Sequence, residues 1–325
     1  MPERCTSFAA TVRPGWSTPS LFQTTDHGRG FSAARWPWRV TDWSSARGGS
    51  WSKKDGSCVG YVYLRDDNGT LADLSDDLWV QETKLVVPPQ PFYCNWGFGV
   101  GIAGDFIVVG HPTGEFSVGS ASIFERKGGQ WIYSTALVGS DTVFGDGFGF
   151  PVARSGNRVV VGAPYVAGGT GEVYVFRRIR SEWVEESKFS SIATSNLGTA
   201  SSIDRNDLAV SGYTAAGESV SVFHLVGGTR IEQGQVTPLD AAGDRLFGGS
   251  VFIQGRRLFV SAEDGDENFG VPHFFERVGA QWFERQRLVP SDARPSAGFG
   301  GVRGKSGRYL VPAGALKVYV LRLDR

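Results

Sequence analysis

The chain has 325 residues, 13% aromatic, with 45 glycines, and its 33 basic and 33 acidic residues cancel. The basic residues, mostly arginine, are scattered rather than gathered in a stripe, which excludes a nucleic-acid groove or a polybasic membrane patch. No apolar run approaches the roughly 20 residues of a membrane helix, so direct membrane insertion is not expected.

The N-terminal stretch MPERCTSFAATVRPG lacks the apolar core of a signal peptide, so the protein either is not exported by that route or is represented by a mature or incomplete chain. Residues 16 to 26, WSTPSLFQTTD, place Trp16 six residues before Phe22, a spacing that recurs downstream. The next segment, about 27 to 97, contains RWPWRVTDWSSARGGSWSKKDGSC from Arg35 to Cys58, rich in tryptophan and glycine. From Phe98 onward the chain repeats. FGVGIAGDFIVVGHP begins at Phe98, FGFPVARSGNRVVVGAP at Phe148, LGTASSIDRNDLAVSGY at Leu197, FGGSVFIQGRRLFVSAE at Phe247 and FGGVRGKSGRYLVPAG at Phe299. A second signature follows in each full unit, and Trp131, Trp183 and Trp282 each stand six residues before Leu137, Phe189 and Leu288.

A repeat of about 50 residues demands a modular fold. Each unit reads as four strands. The first opens at Phe-Gly, the second is the valine run, the third is of the VYVF type, and the fourth starts at Trp. Short polar turns, AGD, SGN, DRND and QGR, close the first hairpin. Valine runs without polar alternation indicate a strand covered on both faces. Four-stranded antiparallel sheets packed face to face around an axis meet that need, so the predicted fold is an all-β propeller. Phe148 is expected to wedge between blades while Gly149 permits close backbone approach, and Gly162 and Pro164 end the second strand. The whole stretch from Phe144 to Pro164 reads as architectural, since no helix follows that would let GDGFG bind phosphate.

Phe148-Gly149 with Gly162-Ala163-Pro164, and Phe98-Gly99 with Gly110-His111-Pro112, resemble FG-GAP repeats, the blade units of integrin α-chain propellers and of many bacterial and algal proteins. The resemblance covers about residues 27 to 325 and is strongest in the unit from Phe148. It implies an adhesion or ligand-binding platform, an extracellular or exported setting, and often Ca²⁺ in a DxDxDG-like turn between strands one and two. The turns here lack carboxylates at alternate positions, so no calcium and no other cofactor is expected.

Counting gives six blades within one domain, 1 to 325: about 27–97, 98–147, 148–196, 197–246, 247–298, and 299–325 completed by 1–26, whose segment 16–26 supplies the missing fourth strand and closes the ring. A truncated chain would allow seven, with residues 5 to 13 left from another third strand. The loops joining strands two to three and four to the next blade share one face, where binding is expected.

Two readings stand for Trp36, Trp38, Trp43 and Trp51: core residues replacing the valines of blade one, or, with or without Trp96, an aromatic patch for a protein or sugar. Cys58 and Cys94 fall on the same face of blade one, near enough to pair in an oxidising compartment; two separate reduced thiols are the alternative, and Cys5 would remain free. Asp264, Asp266 and Glu267, with Glu263, form an acidic turn that is either solvated or a weak cation site. Asn68-Gly69-Thr70 is a glycosylation sequon that matters only in a secreted chain. The four histidines fall in different units, HExxH and GxSxG are absent, and Asp204 is the one acid on the repeated first strands, so no enzymatic activity is expected. The predicted function is a non-catalytic propeller that binds a partner protein or serves as a scaffold subunit through one loop face. A carbohydrate-binding propeller is the alternative.

Overall fold

The structure is a computed structural model and describes residues 7–8, 31–35, 59–66, 78–87, 97, 99–112, 118–191, 194–215, 217–238, 247–262, 271–288, 301–306, 309–313 and 320–322. Strands β1 (Ser7–Phe8), β2 (Phe31–Arg35), β3 (Val59–Asp66) and β4 (Leu78–Val86) come first. The second sheet comprises β5 (Val100–Ala103), β6 (Phe106–His111), β7 (Ser120–Lys127) and β8 (Gln130–Leu137). The third comprises β9 (Val152–Ser155), β10 (Arg158–Ala163), β11 (Glu172–Ile179) and β12 (Glu182–Phe189). The fourth comprises β13 (Ser201–Asp204), β14 (Asp207–Thr214), β15 (Gly217–Val226) and β16 (Thr229–Val236). The fifth comprises β17 (Val251–Gln254), β18 (Arg257–Ala262), β19 (Val271–Val278) and β20 (Gln281–Arg287). These four sheets are antiparallel, with each strand beside its sequence neighbour. Strands β21 (Gly301–Ser306), β22 (Tyr309–Ala313) and β23 (Val320–Arg322) form a further sheet, and β1 lies antiparallel beside β23.

Hairpin chemistry explains the repetition. Strands one and two are joined by two residues each time: Gly104-Asp105, Gly156-Asn157, Arg205-Asn206 and Gly255-Arg256. The first residue of each pair has φ between +54° and +57°. Glycine adopts that conformation readily, and nothing lies near enough to obstruct a side chain at Gly104, Gly156 or Gly255, so the backbone angle rather than space selects it there. Arg205 adopts it at a steric cost. Arg205→Gly is therefore expected to raise stability by roughly 0.5–1 kcal/mol, the left-handed penalty less the added unfolded-state freedom, as measured by denaturant unfolding.

The valine runs are covered on both sides. Val159 and Val161 pack with Val108, Ile123 and Leu137 of the second sheet, whereas Val160 packs with Leu208, Val210 and Ile203 of the fourth. All three valines are fully buried. Successive sheets meet through their first strands, β5 against β9, β9 against β13 and β13 against β17. Phe148 is wholly buried in the layer between the second and third sheets, edge-on to Tyr174 at 5.2 Å and to Phe176 at 6.1 Å. Phe247 repeats the arrangement with His273 at 5.3 Å and Phe275 at 6.1 Å.

Paired small residues let neighbouring sheets approach. A Cβ on Gly110 would fall 2.0 Å from the Gly149 carbonyl oxygen of the next sheet, and one on Gly162 would fall 2.4 Å from that of Gly198. In the fourth sheet Ser211 replaces the glycine, and its buried hydroxyl donates to the Gly248 carbonyl at 2.7 Å. The contact has become a hydrogen bond rather than being lost.

A second link between sheets repeats near the outer strand. Arg126, Arg178 and Arg277 stand opposite Trp131, Trp183 and Trp282 across the third and fourth strands. Each arginine reaches an acid of the preceding sheet: Glu82 for Arg126, Glu125 for Arg178 at 2.8 Å, and Asp207 for Arg277 at 3.6 Å. Trp131 Nε1 also donates to Glu82, at 3.0 Å. In the fourth sheet this cross-strand pair becomes Leu225 and Arg230, and Arg230 lies over the Phe189 ring of the preceding sheet.

Each third-fourth strand pairing carries a bulge at the same place, between Ile123/Phe124, Val175/Phe176, Val222/Phe223 and Phe274/Phe275. In the third sheet the register passes over Glu186, whose carboxylate accepts from Arg158 at 2.6 and 3.0 Å, while Arg158 also donates to Asn206 of the next sheet at 2.7 Å. The Arg158 hydrogen bonds hold the Glu186 carboxyl below its ordinary 4.5. A depressed folded-state pKa contributes stability above the unfolded value, which is lost as pH falls through the lowered one. Glu186→Gln is expected to cost roughly 2 kcal/mol at neutral pH. The difference from wild type should shrink below about pH 4.5, as read by pH-dependent denaturant unfolding.

Four features differ from the sequence expectation. The first sheet has three described strands, and β2 runs parallel to β3 rather than antiparallel. Parallel pairing needs a long crossover, and residues 36 to 58 supply it where other units have a two-residue turn. The strand beside β23 is Ser7–Phe8, while the expected closing segment 16–26 lies outside the described residues. The Phe-Gly pair also precedes the first strand: Phe148 and Gly149 form a turn, and β9 begins at Val152.

The fourth difference is one of register. In three units the turn glycine donates to the position of Gly162, which donates back two residues beyond the glycine: Gly149 with Gly162 and Pro151, Gly198 with Ser211 and Ala200, Gly248 with Ser261 and Ser250. In the second unit the same pair of bonds runs from Gly97 to Gly110 and from Gly110 to Gly99. Gly97 also shares the conformation, with φ of +94° against +99°, +96° and +89°. The unit therefore starts at Trp96-Gly97 rather than at Phe98-Gly99. With glycine at both 97 and 99, sequence spacing could not choose between them.

Candidate functional site

The residues singled out from the sequence, Trp36, Trp38, Trp43, Trp51 and Trp96, the pair Cys58 and Cys94, and the acidic Asp264, Asp266 and Glu267, lie outside the described residues. For Trp96 the register is informative. The residue before the turn glycine in the other units is Phe148, Leu197 or Phe247, and all three are buried. Trp96 thus occupies a sequence position that elsewhere serves the core.

The described residues present a different site on the expected face. The connector from β8 to β9 and the one from β10 to β11 emerge side by side. Tyr165 N–H donates to the Asp146 carbonyl at 3.1 Å, and the Tyr165 ring stands edge-on to Phe150 at 6.1 Å. The next sheet joins through Asn196 N–H, which donates to the Gly169 carbonyl at 2.6 Å, and through the backbone bridge between Ser195 and Tyr213. On these loops Val143 is 61% exposed, Phe144 53% and Tyr165 47%, and Tyr213, near the end of β14, is 37% exposed. Large apolar groups gathered on anchored loops mark an interaction surface more often than singly scattered ones do.

The loop bearing Val143 and Phe144 is fixed at several points. Asp146, itself buried, accepts from Val143 N–H at 2.7 Å, and the Thr142 hydroxyl donates to the Gly139 carbonyl at 3.1 Å. Ser140 donates through its N–H and hydroxyl to the two Glu185 oxygens, both at 2.9 Å. The Tyr174 hydroxyl lies 2.7 Å from Glu172 and 3.0 Å from Asp141, so one phenolic proton serves two carboxylates. Burial and then those carboxylates raise the Tyr174 phenol far above its ordinary value, keeping it a donor. Lys188 bonds Asp141, which lowers the Asp141 carboxyl and raises the Lys188 amine. A loop tied this way loses little conformational freedom on meeting a partner.

Sequence reasoning missed Phe144. FGDGFG contains two Phe-Gly pairs, and both read as architectural, yet Phe148 is buried while Phe144 faces solvent. The available signal was spacing, since only Phe148 stands a full repeat before Leu197.

Residues 131–176 match the FG-GAP repeat family. That span runs from Trp131 of the second sheet to Phe176 of the third and includes the packed layer around Phe148 and the exposed loop. No curated protein matches the chain. Among solved structures, the crystal structure of a protein from Lactobacillus plantarum, a structural-genomics target, is similar at a TM-score of 0.53 and 13% identity, over 91% of this chain and 81% of that one. The likeness is one of fold.

Proposed function

We propose that the six sheets are blades of one closed propeller, 1–325, and that it is a non-catalytic protein-binding or scaffold subunit working through the face that bears Phe144. The blades run approximately 27–95, 96–147, 148–196, 197–246 and 247–298, with 299–325 completed by the N-terminal strand. A closed ring is supported by the antiparallel pairing of β1 with β23 and by the succession of contacts between neighbouring sheets. The observation that carries the binding role is the exposure of Val143 and Phe144 on a loop held by side-chain hydrogen bonds, with exposed Tyr165 on the loop bonded to it and Tyr213 on β14.

A non-catalytic role is supported by Asp204, the one carboxylate on β5, β9, β13 and β17. It accepts from Gly255 N–H at 2.8 Å and is thereby committed to joining two sheets. Two-residue hairpins between first and second strands are too short to supply the six to eight oxygens of a calcium site, which supports a cofactor-free platform.

Affinity purification from the native source tests the role. A partner should co-purify with wild type and with Lys127→Ala, which alters a hairpin on the opposite face. It should fall roughly tenfold or more with Phe144→Ala, as for a central interface residue. Retention of the same partner by Phe144→Ala would remove the face from consideration.

A further inference from the structure

The surroundings of the apolar cluster are acidic. Asp141 lies two residues before Val143, Glu172 opens β11, and Glu185 sits on β12 beside Ser140. Lys188 bonds Asp141 and lies 4.0 Å from Glu172, and one ammonium against three carboxylates leaves the group net negative. Glu218 on β15 adds to it, and its charge, after burial, helps raise the Tyr213 phenol.

An apolar prong within a negative field selects its partner by charge. Rim carboxylates attract a cationic surface over about a Debye length and repel an anionic one, while the desolvated apolar contact holds the complex. We propose that this face receives a basic segment of a partner protein, an apolar side chain flanked by lysine or arginine that packs against Phe144 and Tyr165. The inference rests on the protein-binding reading above and adds the chemistry of what is bound.

Fluorescence anisotropy with the full chain and two dye-labelled peptides tests it, one carrying a central Leu-Phe pair flanked by lysines and the other the same pair flanked by glutamates. The lysine peptide should bind roughly tenfold or more tightly than the glutamate peptide and weaken several-fold between low salt and about 0.3 M salt. Phe144→Ala should weaken it roughly tenfold, and Glu185→Lys should weaken the lysine peptide while improving the glutamate one. Equal binding of the two peptides, or binding of neither, overturns the proposal. Salt-dependent binding that ignores Phe144→Ala also overturns it, since the contact is then elsewhere. If Phe144→Ala abolishes capture of the native partner but neither salt nor Glu185→Lys matters, the binding face stands and its preference for a basic segment falls. Self-association of the chain that is lost in Phe144→Ala would assign the face to a second copy and likewise overturn the proposal.

Discussion

Gly149→Ala is expected to lower the unfolding free energy by about 2–5 kcal/mol, combining a left-handed backbone penalty with overpacking between sheets. Gly149 has φ of +99°, and a Cβ there would stand 2.4 Å from the Ser120 carbonyl oxygen and 2.9 Å from His111 N. Both are backbone atoms of the preceding sheet, which cannot rotate away as a side chain could. Gly156→Ala separates the two causes. Its φ is +55° but nothing lies within 4 Å of the added carbon, so it should cost only about 0.5–1 kcal/mol, the left-handed penalty less the reduced unfolded-state freedom. Denaturant unfolding of the two variants measures the difference. Equal losses would mean that the close approach of the sheets contributes nothing.

Phe148→Ala should cost about 3–5 kcal/mol, the range for emptying a packed aromatic site. The ring is fully buried and touches Tyr174 and Phe176 of its own sheet, within a layer completed by Val108, Ile123 and Leu137 of the preceding one. The surroundings are strands fixed by their own ladders, so collapse into the cavity is restricted. Phe144→Ala, four residues earlier, should change stability by no more than about 0.5 kcal/mol, as at an exposed position. Comparable losses in the two variants would contradict the division of FGDGFG into an exposed tip and a buried wedge.

The parts of the fold legible in the sequence are those set by burial with a regular period. Val159, Val160 and Val161 announce a strand covered on both sides because each face needs its own apolar partners, and the two faces do fall in separate layers. The tryptophan-led fourth strand was legible for a similar reason, since Trp131 and Trp183 recur at fixed spacing. The arginines opposite them recur as well but were hidden among many other arginines, and their acids lie in the preceding unit, some fifty residues away.

Register and loops were less legible. Gly97 and Gly99 are both glycine, and only the hydrogen bonds to Gly110 and the positive φ distinguish them. Parallel pairing of β2 with β3 has no local signature beyond the length of the connector. The exposed loop has no local signature because its anchors, Tyr174, Glu172 and Glu185, come thirty to forty-five residues later, and exposure of Phe144 follows from those anchors rather than from its own composition.

The proposed ring closure underlies the assignment of a single working face, and an engineered disulfide tests it most directly. Phe8 and Val320 are register partners on β1 and β23. Adjacent antiparallel positions fall within the Cα separation a disulfide spans. In a chain whose Cys5, Cys58 and Cys94 are changed to serine, Phe8→Cys with Val320→Cys should form an intramolecular bond on mild oxidation, detected by intact mass and by thiol labelling. Thiols that stay free in the folded protein, or that link only between molecules, would contradict the closed propeller.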